Sequence, residues 1–206
     1  MSFFVTFEGI EGSGKTTQVR YLESYLRKRG FKVVKTREPG GTDLGEKVRS
    51  ILLNGRLKIS PYAELFLVIA QRIQHIEEVI LPSLNQGKMV LCDRFTDATL
   101  AYQGYGRGID LNLINYLNTI ATRNLKPHLT FLLDCNVDSS LRRKRTQNRF
   151  ENEKKEFHEK VRNGYLEIAR SEPERFVVLD GAKDKHILKE EIRCLIDERL
   201  KKYGIF

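Results

Sequence analysis

The chain has 206 residues, 40% of them hydrophobic and 31% charged, and its 36 basic and 27 acidic side chains give a net charge of +9. That length suits a single core, and the composition excludes wholesale disorder and a membrane-embedded class. Cys92, Cys135 and Cys194 are odd in number and widely spaced with no C-x-x-C pair, which argues against a disulfide framework or a zinc site and leaves structural thiols.

In chain order, the apolar opening at 3–8 (FFVTFE) predicts a strand. It is too short for a secretory or spanning segment, which points to a cytoplasmic address. Next comes Gly9-Ile10-Glu11-Gly12-Ser13-Gly14-Lys15-Thr16-Thr17, which satisfies the GxxxxGK[ST] pattern. A helix predicted over 15–29 then places Val19, Leu22 and Leu26 on one side before Gly30. The physics asks for these residue types: glycines let backbone N–H groups curl around a polyphosphate, and the helix start adds its unpaired donors and positive dipole end. Lys15 suits the outer phosphates as a point charge, and the Thr16 hydroxyl suits the magnesium that accompanies a nucleoside triphosphate.

Further strands are predicted at 32–36, 88–92, 129–134 and 176–180, apolar on both faces as in a parallel sheet. Helices are predicted over 63–81, where Leu65, Ile69, Ile73, Ile76 and Ile80 recur, and over 185–201. The alternation is that of an α/β fold with helices covering the sheet, in one domain. The strand at 88–92 runs into Asp93 and Arg94, an acid and a guanidinium at the carboxyl edge where such sheets bind ligands. Asp93 there can order magnesium or its waters, and Arg94 can grip a second phosphate. Residues 142–149 (RRKRTQNR) carry five basic side chains and no acid, so they supply +5 of the +9 and leave +4 elsewhere. No aromatic residue interleaves them, which argues against nucleic acid as a partner. His75, His128, His158 and His186 fall in no motif and read as structural or surface groups. A regulatory switch is disfavoured because no Asn-Lys-x-Asp element occurs.

Taken together, FEGIEGSGKTTQ at 7–18, REPGGT at 37–42, DRF at 93–95, AYQGYGRG at 101–108, LKPHLTFLLD at 125–134 and the basic segment resemble the bacterial thymidylate kinase family. The motifs run in order from residue 3 to about residue 182. The resemblance implies a P-loop nucleoside monophosphate kinase fold with a five-stranded parallel sheet, spanning 1–206 as one domain with a basic lid at about 142–156. It implies Mg2+-dependent phosphorylation of dTMP by ATP, a step toward dTTP, in a cytoplasmic homodimer with no nucleic-acid or membrane partner.

By the same resemblance, Lys15 meets the donor phosphates, Arg94 and Arg49 the acceptor phosphate, and Glu11 the sugar 3'-hydroxyl or magnesium. Arg72 reads the thymine carbonyl, while Tyr102 and Gln103 lie beneath sugar and base, the tyrosine ring clashing with any 2'-hydroxyl. Pro39 turns the chain beside the acceptor site and is a candidate for a cis bond. Arg143, Arg145 and Arg149 would close over the triphosphate from the lid, Arg149 in NRFE foremost, with Arg142 beside them. Two positions depart from the family pattern. Val68 stands where a phenylalanine stacks on thymine, with Phe66 on the opposite helix face, and Ala98 replaces a serine, leaving Thr99 as the nearest hydroxyl. These departures keep open another nucleoside or nucleotide kinase with a broader or shifted acceptor range.

Overall fold

Alternate residues of FFVTFE face opposite layers, so a strand built from them is buried on both sides. In the computed structural model, which describes residues 2–143 and 148–205, this strand is β1 (Phe3–Glu8). β2 (Val33–Arg37), β3 (Met89–Asp93), β4 (Leu129–Asp134) and β5 (Phe176–Asp180) join it in one all-parallel sheet, ordered β2-β3-β1-β4-β5. The helices are α1 (Lys15–Lys28), α2 (Asp43–Leu53), α3 (Pro61–His75), α4 (Leu81–Asn85), α5 (Thr96–Thr99), α6 (Leu111–Thr122), α7 (Val137–Arg142), α8 (Lys155–Ser171) and α9 (Lys185–Lys202). A π-helical turn, Ile76–Ile80, joins α3 to α4, and a second, Leu100–Gly106, continues α5.

Phe3, Val5 and Phe7 pack one face of β1 against the apolar sides of α1 and α9. Phe4 packs the other face against Ile76, Ile80, Val90 and Phe95. β1 lies between β3 and β4, so the loops leaving β1 and β3 open side by side at the carboxyl edge, the crevice where such sheets bind ligands.

Some boundaries differ from expectation. β2 and β3 each begin one residue later than the apolar runs suggest, because their pairing register runs from Val33 opposite Met89 to Arg37 opposite Asp93. The helix expected over 63–81 starts at Pro61, where the Ser60 hydroxyl caps Ala63 N, and continues through the π turn to Asn85. Its apolar surface is shared between α6, which takes Leu65 and Ile69, and the sheet, which takes Ile76 and Ile80. Ile73 falls between these two surfaces and is partly exposed. α2, α5, α6, α7 and α8 are additions to the expected elements. Cys92 and Cys135 are buried, with burial raising both thiol pKa values, and Cys194 is exposed.

Candidate active site

Gly9 stands at φ 135°, and a Cβ there would lie 2.5 Å from the Leu133 carbonyl oxygen, so the turn out of β1 requires glycine. The loop then wraps around Lys15, whose Nζ donates to Gly9 O at 3.0 Å, Ile10 O at 2.8 Å and Ser13 Oγ at 3.3 Å. These acceptors are uncharged, so an entering polyphosphate is the better partner for the ammonium. Burial lowers the Lys15 pKa and the nearby Arg94 lowers it further. Ile10 turns into the core, Ser13 is buried, and Glu11, Gly12, Gly14, Lys15, Thr16 and Thr17 line a cavity of about 700 Å³.

Thr16 Oγ1 donates to Asp93 Oδ2 at 2.7 Å, which joins the first turn of α1 to the end of β3 at the cavity. One hydroxyl and one carboxylate form a hard-oxygen pair suited to Mg2+, which takes few protein ligands and leaves the rest to water and phosphate.

Arg94 leaves β3 at φ 71°, in the left-handed region that non-glycine residues rarely adopt. Its Nη2 donates to Glu11 Oε1 at 2.7 Å, its Nη1 donates to Gly9 O at 2.8 Å, and the guanidinium lies 5.0 Å from the Tyr102 ring centroid. Burial would raise the Glu11 carboxyl pKa, but the charges of Arg94 and Lys15 outweigh it and hold the group at about 2. Arg49 donates from Nη1 to Pro39 O at 2.9 Å, and burial, then repulsion from Arg37, lower its pKa. Lys15, Arg49 and Arg94 share one cavity; burial and like charge disfavour the cationic forms of Lys15 and Arg49, which an incoming phosphate dianion would relieve, whereas Glu11 beside Arg94 holds its guanidinium firmly charged.

The far wall comes from REPGGT, α3 and the π turn after α5. The Glu38–Pro39 bond is cis, as expected, and Pro39 lines the cavity. Glu38 is buried, accepts from Arg72 Nε at 2.7 Å and shares a 2.9 Å hydrogen bond with His75 Nδ1. Arg72 is 1% exposed and also donates to Thr99 Oγ1 at 2.9 Å, Asn118 Oδ1 at 2.6 Å and Phe95 O at 3.0 Å. Those bonds fix the guanidinium rigidly at the cavity wall, beside Val68, Ala98, Thr99, Tyr102 and Gln103. Val68 has two roles, lining the cavity and packing against Val48 and Leu52. Phe66 is exposed on the other side of the helix.

The sequence model of the thymidylate kinase family matches residues 7–192. The chain belongs to that family. It is 54% identical to the thymidylate kinase of Geotalea daltonii over 88% of this chain and 90% of that one. With the thymidylate kinase of Sulfurihydrogenibium sp. the identity is 51% over the full length of both. The crystal structure of thymidylate kinase from Ehrlichia chaffeensis is similar with a TM-score of 0.79 at 40% identity, covering 95% of this chain and 98% of that one.

In this member of the thymidylate kinase family the basic segment is divided. Arg143 lines the cavity and donates to Gly181 O at 3.1 Å, whereas Arg142 is exposed on α7. Arg145 lies outside the described residues. Arg149 is turned away from the P-loop: Nη1 pairs with Glu64 at 2.7 Å and Nε donates to Leu52 O at 2.9 Å. The sequence reading does not single out Glu64, Glu8 or Tyr165, all of which are buried and support site residues. A signal for Glu64 exists, since Glu64, Gln71, Arg72 and His75 lie at helical spacing and form a buried polar stripe, interrupted by Val68, on an otherwise apolar helix.

Glu8 is the last residue of β1, and burial, then Asp97, push its pKa up to about 7 against the pull of Arg94. A carboxyl raised in the fold contributes stability that is complete below its unfolded value of 4.5 and is lost as pH rises toward about 7. Glu8→Gln removes this dependence. Between about pH 5 and pH 8 the wild-type thermal midpoint should fall relative to that of the variant, and parallel curves would contradict the assignment.

Proposed function

We propose that the chain phosphorylates dTMP with ATP by pressing the acceptor's phosphate dianion against a triphosphate held in the P-loop. The convergence of Lys15, Arg49 and Arg94 on one cavity carries this reading, because two polyanions meet there only if fixed cations offset their repulsion. A phosphate monoester has a second pKa of about 6, so at neutral pH its oxygen is already a nucleophile and requires no strong base. That oxygen bonds to the γ-phosphorus, the bond from the γ-phosphorus to the β-bridging oxygen breaks, and the electron pair leaves with ADP.

Lys15 holds the donor phosphates within the cradle formed by Gly9 to Thr17, and Arg94 with Arg49 holds the acceptor phosphate. Glu11 anchors Arg94 and faces the sugar. Arg72, Thr99 and Gln103 address the base beside Val68, and Tyr102 excludes a 2'-hydroxyl. Thr16 and Asp93 would hold Mg2+, which neutralises charge on the donor phosphates when bound. A single domain over 1–206 carries a lid at about 142–156. From it Arg143, Arg145 and Arg149 supply charge to the transferring group once Arg149 exchanges Glu64 for phosphate.

The enzyme works as a cytoplasmic homodimer in this proposal, without nucleic-acid or membrane partners. Tyr62, Phe66 and Ile73 of α3 and Tyr116 and Ile120 of α6 are exposed on two helices that pack together, an apolar face suited to a second copy. A light-scattering mass near 23.9 kDa, that of one chain, would rule out the dimer.

The deciding assay offers dTMP, dUMP, dGMP and AMP in parallel with ATP and Mg2+. The expected outcome is the highest kcat/KM for dTMP, with dUMP next because it lacks only the 5-methyl group, a difference an apolar pocket discriminates modestly. A purine preference would overturn the acceptor assignment, and no turnover of any monophosphate would overturn the reaction.

A further inference from the structure

The Arg94 side chain reaches the cavity from a backbone position that is intrinsically unfavourable, at φ 71°. Something must hold it there. Its own amide donates to Phe7 O at 2.9 Å, which ties the start of the turn to β1. The next amide, Phe95 N, donates to Glu8 Oε1 at 2.7 Å. The second oxygen of that carboxylate, Glu8 Oε2, accepts from the Tyr165 hydroxyl at 2.8 Å. The Tyr165 hydroxyl in turn accepts from Arg94 Nη1 at 3.0 Å. One carboxylate therefore fixes the backbone on the far side of Arg94 and, through Tyr165, its guanidinium. Both groups are buried, and neither lines the cavity.

We infer that Glu8 and Tyr165 are positioning residues for Arg94, holding its guanidinium in the orientation that receives the acceptor phosphate. The chain of contacts joins three distant parts of the sequence: the end of β1, the turn after β3 and the middle of α8. Its geometry is selective, because the Tyr165 hydroxyl spends its proton on Glu8 and presents only its lone pairs to Arg94. Tyr165 leaves Arg94 Nη2 to Glu11 and Tyr102, which lie on the cavity side. The inference rests on the assignment of Arg94 to the acceptor phosphate.

The test compares wild type with Tyr165→Phe, Glu8→Gln and Arg94→Lys, measuring KM for dTMP, KM for ATP, the calorimetric Kd for dTMP and the thermal midpoint. Tyr165→Phe keeps the ring and removes only the bridge. It should weaken dTMP binding by about three- to ten-fold, the worth of one hydrogen bond, with KM for ATP changed less than about two-fold. Glu8→Gln keeps the shape but only one of the two acceptor oxygens, so it cannot accept from both Phe95 N and the Tyr165 hydroxyl, and it should weaken dTMP binding in the same direction. If Tyr165→Phe lowers the thermal midpoint but leaves dTMP binding alone, or weakens both substrates equally, Tyr165 is a packing residue and the inference falls. Should Tyr165→Phe fail to fold, the split between the two KM values in Glu8→Gln decides by the same criterion. If Arg94→Lys itself leaves dTMP binding unchanged, the acceptor-phosphate assignment falls, and the positioning role falls with it.

Discussion

Lys15→Met lowers kcat by about 10²- to 10³-fold, equivalent to about 2.7–4 kcal/mol of transition-state stabilisation, while the thermal midpoint stays within about 4 °C of wild type. The two halves of this expectation have one cause. In the free protein the loop already holds the ammonium, on Gly9 O, Ile10 O and Ser13 Oγ, so a triphosphate entering the cradle meets a charge in place and needs only to take over its uncharged hydrogen-bond partners. Burial and Arg94 depress its pKa, which means that the charged form costs the fold stability at neutral pH. Removing the charge therefore spares the fold and removes a stabiliser of developing negative charge. Lys15→Arg should not rescue turnover, because a planar fork cannot occupy the ring of three acceptors that surrounds a compact ammonium. Steady-state kinetics with dTMP and ATP check both variants, and a loss below about ten-fold in Lys15→Met would remove Lys15 from the chemistry.

The sequence carried the cradle and the sheet edge because both are local. Strand, glycine-rich turn, lysine and helix lie within residues 3–29, and Asp93 and Arg94 follow directly on an apolar strand. The cis bond at Pro39 was legible through the REPGGT resemblance and is present. Features that depend on distant contacts were not legible. Glu8 and Tyr165 meet across 157 positions and Glu64 meets Arg149 across 85, distances over which no spacing rule operates. The same limit explains Arg149: the sequence marks it as a cation in a basic run, but only the fold shows the buried carboxylate beside it. The helix over Lys155–Ser171 is a different case, since Phe157, Val161, Tyr165 and Ile168 follow helical spacing and are buried. Its many charged residues hid a stripe that was there to be read.

Glu64→Ala should destabilise the fold by about 3 kcal/mol, lowering the thermal midpoint by about 6–12 °C. Glu64 is fully buried and receives Gln103 Nε2 at 2.6 Å, Arg149 Nη1 at 2.7 Å and Arg107 Nη2 at 3.2 Å. Removing the carboxylate strands two guanidinium groups that are only 15% and 10% exposed, and a buried charge without its partner costs more than the intact pair contributes. The loss falls at the lower end of the range for broken buried pairs because Arg107 keeps a second partner, Glu153, at 2.6 Å. Among the described residues Arg149 has no second carboxylate, only Leu52 O and the Phe150 ring, and its buried Nη2 has no hydrogen-bond partner there. Glu64→Gln retains the shape and one acceptor, so it should lose less than Glu64→Ala. Because Gln103 lines the acceptor cavity and is held by the same carboxylate, KM for dTMP should rise more than KM for ATP in both variants. Calorimetric melting and two-substrate kinetics test the two effects separately. A midpoint within about 2 °C of wild type in Glu64→Ala would show that the arginines find solvent in its absence, and that the burial of this cluster contributes little to the fold.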